Sequence, residues 1–67
     1  MSSTIFNSAA NLNEIYKNSG VTFSADEAEN TIYFEGNKYD LPEEMLITIS
    51  KGSIGGHLLK RAELTQS

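Results

Sequence analysis

A chain of 67 residues without a single cysteine has to hold its fold by side-chain packing alone. Disulfide mini-proteins and thiolate zinc folds both need sulfur that this chain lacks. A domain of this length buries only about 60% of the surface its unfolded chain exposes, so its core is marginal. Natural domains this small add a disulfide, a metal or a second subunit. With one histidine, His57, and no thiol, no zinc-type ligand set is spelled out. Self-association is the remaining source of buried apolar area, and a homo-oligomer is expected. The length allows one domain, 1–67.

Apolar side chains make up 39% and charged ones 21%, which places the chain among globular rather than disordered sequences. Its charge is segregated. Residues 1–50 set Lys17 and Lys38 against Glu14, Asp26, Glu27, Glu29, Glu35, Asp40, Glu43 and Glu44, a net −6. Residues 51–67 set Lys51, Lys60 and Arg61 against Glu63, a net +2. The main body therefore repels nucleic acid. No stretch approaches the ~20 apolar residues of a membrane span. Met1 to Asn18 has no basic residue before Lys17 and no continuous apolar run, so it does not read as a secretory signal. A cytoplasmic protein is expected.

Ile5, Ala9, Leu12 and Tyr16 recur at i, i+4, i+7 and i+11, with Asn7, Asn11, Glu14 and Asn18 on the other side. The spacing predicts an amphipathic helix of about three turns. Ser2, Ser3 or Thr4 can cap it, and Gly20 is placed to close it. Val21 and Phe23 alternate with Thr22 and Ser24 as in a short strand, and the acidic run Ser24 to Asn30 reads as a turn.

The segment Thr31 to Pro42 (TIYFEGNKYDLP) carries the clearest local signal. Gly36-Asn37 at the centre of a two-residue turn predicts a 31–41 hairpin. Glu35 then faces Lys38, Phe34 faces Tyr39, Tyr33 faces Asp40 and Ile32 faces Leu41. Alternation puts Ile32, Phe34, Tyr39 and Leu41 on one face. Pro42-Glu43-Glu44 is a good first helical turn, and Met45, Leu46 and Ile49 continue it, which predicts a helix over 42–51 broken at Gly52. The β-branched run at 45–50 leaves a fourth strand as the competing reading. Ile54, Leu58 and Ala62 predict a last helix from Ser53 to Leu64, with Thr65 to Ser67 fraying. The expected fold is α+β: an N-terminal helix, a three-stranded antiparallel meander and one or two C-terminal helices.

No catalytic set emerges. Ser53 and His57 stand one helical turn apart, as a nucleophile and base would, but no acid is placed to orient the ring. Asp26, Glu27 and Glu29 lack the alternating ligands, glycine and terminal acid of a calcium loop. Neither a metal nor a cofactor is implied. A non-enzymatic acidic regulator or phage-type inhibitor fits best, one that occupies the surface of a partner protein. Its contact set is Asp26, Glu27, Glu29, Tyr33, Glu35 and Asp40, with the tyrosine as an aromatic anchor against a basic surface.

Two alternatives use the C-terminal quarter. Lys51, Ser53, Gly55, Gly56, His57, Lys60 and Arg61 could cradle a phosphate or nucleotide at a helix start, although the P-loop spacing is absent. Two helices meeting near Gly52 could form a helix-turn-helix reading DNA with His57, Lys60 and Arg61. The acidic remainder opposes that reading.

Overall fold

The computed structural model describes residues 4–62. In chain order it contains α1 (Thr4–Ile15), β1 (Thr22–Asp26), β2 (Thr31–Glu35), a 3-10 turn (Lys38–Asp40), α2 (Glu43–Lys51), β3 (Ser53–Ile54) and β4 (His57–Arg61). The four strands form one sheet in the order β1-β2-β4-β3. The β1·β2 and β3·β4 pairs are antiparallel, whereas β2 and β4 run parallel. The class is α+β as expected, but the sheet is mixed and four-stranded rather than a three-stranded meander. Among the described residues no helix is long and apolar enough to cross a membrane.

Helix α1 buries the expected stripe of Ile5, Ala9 and Leu12, with Tyr16 packed against the same core. The proposed caps Ser2 and Ser3 lie outside the described residues. The chain leaves α1 through a turn in which Ser19 Oγ donates to the Tyr16 carbonyl and accepts from the Val21 N–H. Asn13 then ties the helix to the sheet. Its side-chain Nδ2 donates to the Phe23 carbonyl at 2.7 Å, and its Oδ1 accepts from the Phe23 N–H at 2.7 Å. The amide thus satisfies both backbone groups of an edge-strand residue, as another strand would.

Strand β1 runs on to Asp26, two residues beyond Ser24, and reverses through Glu27–Asn30. Asp26 Oδ1 accepts from the Glu29 N–H, and Asn30 takes a left-handed φ of +49°. The hairpin in this protein is therefore β1–β2, with Phe23 opposite Phe34 and Asp26 opposite Thr31.

The expected 31–41 hairpin does not form. Strand β2 has two edges, of which β1 takes one and β4 the other, so none remains for 38–41. Asn37 instead caps the 3-10 turn, its Oδ1 accepting from the Tyr39 N–H at 3.0 Å. Ile32, Phe34 and Leu41 are buried as expected, but Tyr39 is 74% exposed beneath the Lys38 ammonium. The Glu35–Lys38 and Tyr33–Asp40 pairings fall with the hairpin.

Helix α2 matches the expected span and excludes a strand at 45–50. Pro42 caps it, Glu43 and Glu44 occupy the first turn, and the Gly52 N–H closes it on the Thr48 and Ile49 carbonyls. Met45 is buried, with Leu46 and Ile49 against the core.

The last helix is absent from the described part of its span, 53–62, and its expected end at Leu64 lies outside the described residues. Gly55 and Gly56 take φ of +58° and +85° between the paired residues Ile54 and His57. That is the left-handed geometry a two-residue hairpin turn requires. In a helix interior the same two glycines would cost about 1 kcal/mol each. As a strand, β4 also fills the open edge of β2. Leu58 N–H donates to the Asn30 carbonyl, Ala62 N–H donates to the Phe34 carbonyl, and Leu59 is buried.

Two substitutions test this architecture by thermal unfolding. Gly36 has φ +120°, and a Cβ there would sit 2.6 Å from the Gly20 carbonyl oxygen and 3.0 Å from Val21 Cα. Gly36→Ala should cost about 2 kcal/mol or more, a fall of roughly 10 °C for a domain this small. Asn13→Ala should cost about 1–3 kcal/mol by stripping the Phe23 edge, with faster hydrogen exchange at the Phe23 amide. An unchanged midpoint in either variant contradicts the contact assigned to it.

Candidate functional site

Alternation along β2 separates two faces. Ile32 and Phe34 point to the side where α1 and α2 pack, with Phe23 and Leu59 in register beside them, and all four are buried. Helix α1 buries Ile5, Ala9 and Leu12 and helix α2 buries Met45 in that single cluster, so among the described residues the opposite face of the sheet carries no helix.

The strand register lays out the free face in rows. Ser24, Tyr33 and Lys60 form the central row, with the tyrosine between the other two. Asp26, Thr31, Leu58 and Ser53 form a second, and Thr22 with Glu35 a third. Tyr33 is half-buried between its neighbours, while Leu58 is 48% exposed. Thr31 is almost fully buried even on this face, its hydroxyl donating to the Glu29 carbonyl at 2.9 Å.

Three of the six expected contact residues share this surface: Asp26, Tyr33 and Glu35. Glu27 and Glu29 lie in the turn at its edge, next to Asp26, and are exposed. Asp40 stands apart on the 3-10 turn. Tyr33 meets Ser24 and Lys60 rather than Asp40. Lys60, which the anion and DNA readings both used, reaches Tyr33 only through the parallel pairing of β2 and β4, which no local pattern signals.

The seven residues of the anion reading are dispersed. Lys51 ends α2, Gly55 and Gly56 form a hairpin turn, and Lys60 points to the free face. Ser53 faces Leu58 while His57 faces Ile54, so Ser53 and His57 lie on opposite faces of the sheet. His57 Nδ1 is 2.7 Å from Asn30 Oδ1, and Asn30 Nδ2 donates to the Gly56 carbonyl at 3.4 Å. This pair latches the β1–β2 turn to the β3–β4 turn. Arg61 lies at the far end of β4, and no helix N-terminus gathers these groups. For the same reason residues 53–62 supply no recognition helix. Among the described residues no group of three or more His, Asp or Glu side chains could hold a metal ion.

No protein-family model, curated protein or solved structure matches the chain.

The two faces respond differently to truncation. Phe34→Ala removes a buried ring and should cost about 3–5 kcal/mol, enough to unfold much of the population. Tyr33→Ala, one residue earlier, should keep the native far-ultraviolet circular dichroism and most of the unfolding midpoint. If Tyr33→Ala unfolds the protein as readily as Phe34→Ala, the free face has been misassigned.

Proposed function

We propose that this chain is a non-enzymatic acidic regulator that acts by occupying the surface of a partner protein. The observation carrying this reading is the helix-free sheet face with Tyr33 at its centre. Asp26 and Glu35 flank the tyrosine, and Glu27 and Glu29 extend the negative charge from the adjoining turn. An aromatic side chain held by strand neighbours loses little rotamer freedom on binding, which suits it as an anchor. The surrounding carboxylates steer a basic surface towards it and set its orientation. A partner that uses that basic surface for nucleic acid would be blocked by competition.

Self-association belongs to the same proposal. Phe6, Ile15 and Ile47 are 51%, 68% and 52% exposed on the helices, apolar area that a second subunit would remove from water. The native mass in solution reports it directly, and a monomer at every concentration ends this part of the reading.

The docking mechanism is tested with the immobilised chain and two variants. Glu27→Lys with Glu29→Lys reverses the turn charge and leaves Asp26 to hold the turn backbone. Tyr33→Ala removes the anchor. A protein retained by the unsubstituted chain should be lost from both variants, with affinity down by about thirtyfold for Tyr33→Ala. Its retention should also weaken as salt is raised. Equal retention by all three baits, insensitive to salt, overturns the mechanism.

A further inference from the structure

Parallel pairing with β2 sets a cation on a sheet face whose other charges are negative. Lys60 is in register with Tyr33, and its side chain is exposed. On the other side of Tyr33 lies β1, whose last residue, Asp26, leads into the turn that carries Glu27 and Glu29. Neighbouring strands are spaced by about 4.8 Å, so β1 and β4 stand about 10 Å apart across β2. The face is therefore polarised across its strands, acidic at β1 and its turn and basic at β4.

Neighbouring groups leave this polarity intact. The described residues hold one ion pair, Lys17–Glu14, near the end of α1 rather than on the sheet. The lysine that does lie over an aromatic ring is Lys38, on Tyr39 in the 3-10 turn. Repulsion selects partners as effectively as attraction does. A uniformly basic surface laid on Tyr33 satisfies Asp26, Glu27 and Glu29 but presses a like charge onto Lys60. A basic surface that also bears a carboxylate at the matching point meets both signs. It docks in one orientation, because turning it end for end sets acid against acid and base against base.

We propose that Lys60 is the specificity-determining residue of the docking face. It selects a protein whose basic surface carries an acidic side chain about 10 Å from its cations, and it rejects uniform polycations. This rests on the docking reading above and names the charge pattern its partner needs. Tyr33 takes the partner's apolar atoms between the two charges. Leu58, diagonal to the tyrosine and 48% exposed, widens that apolar contact.

The experiment titrates the full chain with octalysine at low ionic strength, where surface charges are least screened. Amide NMR shifts are followed at Ser24, Tyr33 and the turn at 27–30. Lys60→Gln should bind octalysine about twofold tighter than the unsubstituted chain, and Lys60→Glu about fivefold tighter. Lys51→Glu makes the same change in net charge at the end of α2, on the helix side of the sheet, and should gain less than Lys60→Gln does. Circular dichroism confirms that the variants fold. For a protein retained by the immobilised chain the sign reverses, and Lys60→Glu should weaken it about fivefold because carboxylate then meets carboxylate. An equal gain from Lys51→Glu leaves net charge as the cause and overturns the proposal, as does a retained protein that binds Lys60→Glu more tightly. Octalysine shifts that ignore Lys60 overturn this proposal alone. No shift at these amides in any variant overturns the acidic docking reading with it.

Discussion

Strand β2 is held on both sides, and the rest of the structure depends on its parallel union with β4. That union joins Thr31 to Leu58 and Phe34 to Arg61, residues far apart in the sequence. It completes the burial of Ile32, which has no exposed surface, and brings Leu59 into the same core. It also consumes the edge that 38–41 would have needed. A parallel pair requires a crossover, and here the 3-10 turn, α2 and the short β3 provide it. Because loop closure precedes any reward from such a pairing, this contact is among the costlier ones to form during folding.

A four-stranded sheet still has two edges to protect, and each is handled differently. At β1 the Asn13 amide occupies the outward N–H and C=O of Phe23. At the other side β3 is only two residues long, which offers little template for another chain. Both helices serve the same face. The outcome is a two-layer domain with a packed side and an open side, and the open side carries Tyr33, Leu58 and the charged rows.

The candidate surface was legible where it depends on period-two alternation and opaque where it depends on pairing. Tyr33 and Glu35 alternate with Ile32 and Phe34, so they are separated from the core whichever partner β2 has. Asp26, Glu27 and Glu29 read as an acidic turn and bound one, with Asp26 itself the last residue of a strand. Their neighbours were another matter. Ser24 and Lys60 flank Tyr33 only because of two strand registers, and Asp40 drops out because the bend at Gly36-Asn37 leads into a 3-10 turn.

What the chain determined by itself are the elements whose signals are local. Helix α1 follows from its apolar spacing, α2 from the Pro42-Glu43-Glu44 start and the stop at Gly52, and β2 from its alternating residues. Tertiary structure decided the rest. The stretch from Ser53 to Ala62 has helical spacing and good helix formers, yet Gly55 and Gly56 tolerate a left-handed turn that a helix would penalise. The balance tips to a strand because β2 has an unfilled edge whose backbone groups need partners. Hydrogen-bond demand on one strand, felt only after the chain has collapsed, overrides the propensity of another.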